Sequence, residues 1–159
     1  MKLSTRQLFP LFYDADQTAS SVRYVAVVDR AMIEDGTYFV AEIGDTLLAC
    51  GGWSRRDRLY TGSGDGADDA RLLDPASEPA RVRAMFVHPE YTRRGLGTRI
   101  LELCEEAAKA EGFTQLSLMA TLAGLPLYRR YGFEVVEEVE VTLADGVVIA
   151  CAAMAKSIA

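Results

Sequence analysis

The segment from Ala80 to Glu111 constrains the fold more than any other part of the chain. Ala80 to His88 alternates Val82, Ala84 and Phe86 against Arg81, Arg83 and Met85, the two-residue period of a strand, and Pro89 stops it. From Gly95 to Glu111 the period changes. Leu96, Ile100, Leu103 or Cys104, Ala107 and Ala110 recur at steps of three and four, with Glu102, Glu105, Glu106 and Lys109 largely on the other face. That spacing predicts a helix, ended by Gly112. A strand that turns directly into a long amphipathic helix places the chain among α/β or α+β folds.

The flanking segments extend the pattern. Thr37 to Glu42 and Thr46 to Trp53 are β-rich runs separated by Ile43, Gly44 and Asp45, which reads as an antiparallel hairpin, and Gly51 and Gly52 indicate a bulge or a close backbone approach. Gln115 to Ala120 is a further strand. Pro126 to Tyr131 reads as a short helix with proline in its first turn and Gly132 at its end, followed by strands over Phe133 to Leu143 and Val147 to Lys156. Before the hairpin, Ser4 to Phe12 and about Asp16 to Val25 read as helices. Ser54 to Pro79 is different, with glycines and prolines among Asp65, Asp68, Asp69, Asp74 and Glu78 in a long polar loop that is either a functional, mobile segment or a solvated insertion. Within it, Gly64-Asp65-Gly66 with Asp68 is a single, weak copy of a calcium-binding pattern.

At 159 residues the chain is long enough for one self-sufficient core, so residues 1–159 are read as a single domain. Half the residues are apolar and a quarter charged, which excludes a disordered chain. The longest wholly apolar run, Val147 to Ala155, is too short to span a bilayer, and the first dozen residues hold no continuous apolar signal core, so a cytoplasmic protein without membrane contact is expected. Cys50, Cys104 and Cys151 are far apart and form no CxxC pair, which suits reduced, buried thiols. Seventeen Lys and Arg against 23 Asp and Glu give a net charge of −6, which disfavours nucleic acid as a partner.

Against that acidic background Thr92-Arg93-Arg94-Gly95-Leu96-Gly97-Thr98-Arg99 stands out. Two glycines let the backbone turn tightly, and the helix that starts there directs unpaired N–H groups and partial positive charge outward, as anion sites do. Arg93, Arg94 and Arg99 add three cations. The alternative is a helix start that is merely basic. A dinucleotide fingerprint is not met, because Ile100 occupies the third glycine's place, and a P-loop needs Gly-Lys-Ser/Thr.

Taken together, the run from Arg83 to Gly97, its helix, the next strand and Pro126-Leu127-Tyr128-Arg129-Arg130-Tyr131-Gly132-Phe133 resemble the GNAT superfamily of acetyl-CoA-dependent N-acetyltransferases. The resemblance covers about Thr37 to the C-terminus. It implies a mixed, mostly antiparallel central sheet flanked by helices, and the room left by Pro10 implies a first strand that is short or missing. It further implies that the backbone of Met85, Phe86 and Val87 pairs with the pantetheine arm of acetyl-CoA, the cosubstrate. The N–H groups of Arg93, Arg94, Gly95, Leu96, Gly97 and Thr98 would hold the pyrophosphate. Thr92 stands where relatives usually carry Gln or Arg. Tyr128 matches the family's tyrosine that protonates the departing thiolate, a role suited to a phenol that is protonated at neutral pH; the plain alternative is a packing tyrosine. No metal is implied, and a homodimer is a family expectation.

The acceptor side is less determined. Relatives can carry a glutamate base on the central strand, where this chain has Arg81 and Arg83, leaving His88, Glu90, a loop carboxylate or water. Trp53, Arg55 and His88 are the candidate substrate contacts, with Arg56 nearby. The acidic loop favours a cationic amine and the arginines favour a carboxylate. The expected function is acetyl transfer to a primary amine of a small molecule by direct attack. Two alternatives stand beside it: a non-catalytic acyl-CoA-binding or regulatory module, and an acetyltransferase acting on protein or aminoacyl-tRNA.

Overall fold

A computed structural model describes residues 1–60 and 71–159. Three helices come first: α1 (Lys2–Leu8), continued by a tight turn over Phe9–Leu11, then α2 (Ala15–Tyr24) and α3 (Arg30–Glu34). Six strands and two helices follow as β1 (Tyr38–Ile43), β2 (Thr46–Ser54), β3 (Ala80–Val87), α4 (Leu96–Ala110), β4 (Gln115–Thr121), α5 (Leu125–Tyr131), β5 (Glu134–Thr142) and β6 (Val148–Ser157). The strands form one sheet in the order β1-β2-β3-β4-β6-β5, antiparallel throughout except between β3 and β4. Among the described residues no helix is long and apolar enough to cross a membrane.

Local chemistry explains the helix starts. Asp14 accepts from the Gln17 amide at 2.8 Å while the Gln17 side chain accepts from the Asp14 amide at 3.0 Å, a reciprocal cap that opens α2. Asp29 caps α3 through the Met32 amide at 3.1 Å. Sequence periodicity had no power to find α3, because five residues make little more than one turn. Residues 1 to 36 supply helices where a first strand would stand, so the sheet begins with the hairpin β1–β2.

The core lies on both faces of the sheet. On one side Ile100, Leu101, Cys104 and Ala108 of α4 pack with Trp53, Phe113, Leu116, Leu118 and Met154. The buried stripe of α4 therefore runs through Cys104 and Ala108, and Ala110 is exposed rather than buried. On the other side Phe9 and Tyr13 join Val141, Leu143, Ile149 and Cys151. The alternation of β6 makes this possible, since Ile149 and Cys151 face one way and Ala152 and Met154 the other. Tyr13 ties the layers by donating its hydroxyl to the Ala150 carbonyl at 2.6 Å and accepting from the Leu122 amide at 2.9 Å.

The connection between β2 and β3 is anchored at both ends. Arg56 pairs with Leu72 as an isolated bridge, Leu73 is buried, and Arg71 bridges Asp57 and Glu78, with Arg81 also donating to Asp57 at 3.0 Å. The Gly64-Asp65-Gly66 pattern with Asp68 lies outside the described residues.

Candidate functional site

The site begins with a fault in the sheet. β3 and β4 pair only at Ala80–Leu116 and Arg81–Ser117, so from Val82 to Val87 the edge of β3 that faces β4 has no ladder partner. On its other edge β3 follows β2 with a bulge, Cys50 opposite Phe86 and Gly52 opposite Arg83. Ala84 within that bulge adopts a left-handed φ of 56°, an uncommon conformation for a residue with a side chain. Gly51 makes the bulge possible: a Cβ there would stand 2.1 Å from the Met85 sulfur. The paired glycines of β2 thus serve both readings given by the sequence, since a Cβ on Gly52 would approach the Thr37 carbonyl oxygen to 2.5 Å.

The splayed strands open into a cavity of about 750 Å³, a size typical of small-ligand sites. Met85, Phe86 and Val87 line it from β3. At one end stands the start of α4. Arg93 and Gly95 are both left-handed, at φ 60° and 82°, and Gly95 caps the helix with no side-chain hydrogen bond. No acidic residue occupies the first turn, so the first amides of α4 have neither a helical partner nor a side-chain cap. Arg93, Gly95, Leu96, Gly97 and Thr98 line the cavity, whereas Arg94 lies outside it over the Tyr91 ring, 4.9 Å from the centroid. Arg99 is also turned away, onto Glu102 at 3.1 Å.

Tyr128 is brought to the same cavity by α5. A Cβ on Gly97 would lie 2.7 Å from Leu127, and one on Gly124 would lie 2.7 Å from the Tyr128 ring, so two glycines let α5 settle against the start of α4. Tyr128 is 8% exposed, edge-on to Phe133, and its hydroxyl has no hydrogen-bond partner among the described residues. Burial pushes its phenol well above the ordinary range, with the nearby Cys104 thiol adding to the effect.

Three sequence candidates are not brought to the cavity. Trp53 is 1% exposed and packs edge-on against Phe113, so its ring is core and has no surface to offer a substrate. Arg55 lies over Trp53 and pairs with Glu111 at 2.7 Å. His88 closes β3 by donating its amide to the Leu48 carbonyl, and its ring accepts from the Glu90 amide and packs on Tyr91. None of the three lines the cavity.

In their place stand residues that sequence reasoning missed. Phe9, Leu11 and Phe12 reach the cavity from the N-terminal turn, Tyr24 and Val25 from the end of α2, and Tyr60 from the segment after β2. The available signal was the dense apolar run Leu8-Phe9-Pro10-Leu11-Phe12, of which Leu11 is 75% and Phe12 45% exposed. Arg83 also borders the cavity. Its Nε lies 3.0 Å from Asp29, both side chains at least 98% buried, and its guanidinium donates to the Arg58 carbonyl. No Asp, Glu or His is found among the described lining residues.

Comparison with known proteins places this geometry in context. A family model described as an acetyltransferase (GNAT) domain matches residues 34–135. An N-acetyltransferase of Escherichia coli K12, YafP, itself uncharacterized, is 37% identical over 57 residues; that match covers 36% of this chain and about a third, 35%, of the relative. Among solved structures, a GCN5-related N-acetyltransferase from Rhodopseudomonas palustris superposes with a TM-score of 0.72 at 19% identity, over 98% of this chain and 84% of the other. The PaiA N-acetyltransferase of Thermoplasma acidophilum, solved in complex with coenzyme A, gives 0.64 at 15% identity, over 98% and 87%. At such identities the likeness of the two structures is one of fold.

Proposed function

This chain belongs to the GNAT acetyltransferase family, and on that footing we propose that it transfers acetyl from acetyl-CoA to a primary amine of a small molecule by direct attack. One observation carries the reading: the uncapped start of α4, the unpaired edge of β3 and Tyr128 all line one cavity. The amides from Arg93 to Thr98 suit a diphosphate, which helix N-termini hold through oriented N–H groups and dipole. The free N–H and C=O groups along Met85, Phe86 and Val87 suit an amide-bearing arm laid beside the strand in β fashion. Acetyl-CoA supplies the activated acetyl thioester.

The amine nitrogen forms its bond to the acetyl carbon as the carbon–sulfur bond breaks. Tyr128 donates its proton to the departing sulfur, and the nitrogen loses one proton to water, from which the phenolate is restored. Burial keeps Tyr128 in the protonated form that a donor must have, and it also makes the phenol a weaker acid, so the proton moves only as negative charge develops on the departing sulfur. Transfer through an enzyme thioester is disfavoured. Cys151 is the thiol on the cavity among the described residues, and burial pushes it up to about 11, so little thiolate exists near neutral pH.

The second reading, an acyl-CoA-binding module without turnover, draws on the lack of a carboxylate or imidazole among the described lining residues. A thiol-release assay across amines, amino acids and amino sugars separates the two. Turnover of any acceptor above the hydrolysis background supports transfer; coenzyme binding with no turnover of any of them supports the module.

A further inference from the structure

Among the described residues no hydrogen bond holds the Tyr128 hydroxyl, so the aim of the phenol depends on how α5 is seated. α5 is seven residues long, too short to hold its place by helix formation alone. Its first end is seated by Leu127 against Gly97 and by the Tyr128 ring against Gly124. Its last end is held by charge. Tyr131 donates its hydroxyl to Glu105 Oε2 of α4 at 3.0 Å, and Lys156 of β6 pairs with the same oxygen. Lys109 holds Glu105 Oε1 at 2.8 Å, and the Lys156 ammonium lies 4.5 Å from the centroid of the Tyr131 ring. The Glu105 and Lys156 side chains are 15% and 19% exposed, so the pair is shielded beyond an ordinary surface ion pair. Burial pushes the Glu105 carboxyl up, but the bonds from Lys109, Lys156 and Tyr131 outweigh it and hold it below its ordinary value. One carboxylate thus ties α5 to α4 and to β6.

This clamp has a route to Tyr128. Phe133 touches both tyrosine rings, its centroid 6.3 Å from that of Tyr131 and 6.0 Å from that of Tyr128, and its amide donates to the Tyr128 carbonyl at 3.0 Å. At 2% exposure Phe133 is close-packed core, which transmits a displacement rather than absorbing it. Glu105, Tyr131, Phe133 and Lys156 do not line the cavity, so any effect they have on a ligand there runs through α5.

We propose that Tyr131 and Glu105 are positioning residues for the proton donor: their hydrogen bond, braced by Lys156, fixes the end of α5 and through Phe133 keeps the Tyr128 hydroxyl aimed at the coenzyme sulfur. The inference rests on the donor role of Tyr128 given above and adds the residues that hold it in place. Neither positioning residue exchanges a proton with the ligand. The proton that reaches the sulfur still comes from Tyr128.

The test compares Tyr131→Phe, Tyr128→Phe and the double variant, because Tyr131→Phe removes a hydroxyl and keeps the ring on Phe133. Two readouts are taken below each variant's Tm. The first is kcat and KM for acetyl-CoA with the fastest acceptor found by thiol release. The second is the titration of the coenzyme A thiol in its complex, followed by the ultraviolet absorbance of the thiolate after subtraction of the free protein. A hydroxyl that donates to the sulfur stabilises the thiolate and so lowers the pKa of that thiol. Tyr131→Phe is expected to lower kcat by about tenfold, with KM for acetyl-CoA within about twofold of wild type. It is also expected to raise the pKa of the bound thiol by about half the shift that Tyr128→Phe causes. In the Tyr128→Phe background the same substitution is expected to change kcat by less than about twofold and to leave the thiol titration in place, since an aim already lost cannot be lost again. Equal losses in both backgrounds, a loss expressed in KM instead of kcat, or wild-type values for Tyr131→Phe overturn the proposal. Glu105→Gln, whose amide oxygen can still accept from Tyr131, is expected to stay closer to wild type in kcat than Glu105→Ala, and equal losses from the two overturn the hydrogen bond as the link. If Tyr128→Phe itself leaves kcat and the thiol titration at wild-type values, the donor role fails and this inference with it. If Tyr128→Phe moves them and Tyr131→Phe does not, this inference alone fails. The thiol titration needs no acceptor, so it decides the matter even when no amine in the screen is turned over.

Discussion

Burial keeps Tyr128 protonated while making its phenol a weaker acid, so its proposed role depends on charge developing at the sulfur beside it. The ring is enclosed by Phe133 and Gly124, a phenolate there is poorly solvated, and the hydroxyl keeps its proton through and beyond the ordinary phenol range. Tyr128→Phe is expected to lower kcat by about 10²–10⁴-fold, the usual worth of a positioned proton donor, with coenzyme A affinity unchanged by calorimetry. Because the folded state raises this pKa, the neutral form persists as pH rises. The wild-type rate is therefore expected to show no alkaline decline up to pH 10, measured by thiol release with buffer controls. Tyr128 was legible in the sequence because its motif ties it to Gly132 and Phe133, which fold locally into one helix end. Trp53 was not. An indole beside two arginines at a strand end looks like a binding residue, and only the packing of Phe113 against it shows that it is core.

At the scale of elements, a strand and a helix meet at a turn whose backbone is preset. Arg93 and Gly95 hold left-handed conformations, and nothing lies within 4 Å of a Cβ built on Gly95, so the demand at that position is conformational rather than steric. Gly95→Ala is expected to cost about 1–2 kcal/mol in the native turn, with a lower Tm, and to raise KM for acetyl-CoA more than it lowers kcat. Coenzyme affinity is expected to weaken as salt rises, since the site is charge-based and open at its mouth. The alternation of β3 and the three-and-four spacing of α4 announced both elements, and the hairpin β1–β2 was readable from its turn. What periodicity could not give was the exact stripe of α4, because Leu103 and Cys104 both satisfy a helical step and only contact with β2 and Met154 chooses Cys104. The left-handed Ala84 was equally hidden, since an alanine carries no signal for a bulge.

Across the whole molecule, the N-terminal helices are joined to the sheet by a buried charge pair and by Tyr13. Arg83 rises from the central strand to Asp29, which at the same time caps α3, so one carboxylate fixes both the helix start and the guanidinium beside the cavity. Asp29→Ala is expected to destabilise the fold by about 3–5 kcal/mol, read from urea unfolding, because it leaves a buried arginine without its counter-charge. None of this was legible beforehand. Asp29 and Arg83 are far apart in sequence, and the cavity wall is assembled from segments whose own patterns are short and mixed. The most direct test of the account is a crystal structure of the protein with coenzyme A. It is expected to show the diphosphate hydrogen-bonded to main-chain amides between Arg93 and Thr98, the pantetheine beside Met85 to Val87, and the sulfur at the Tyr128 hydroxyl. Coenzyme bound elsewhere, or with its sulfur remote from Tyr128, would contradict it.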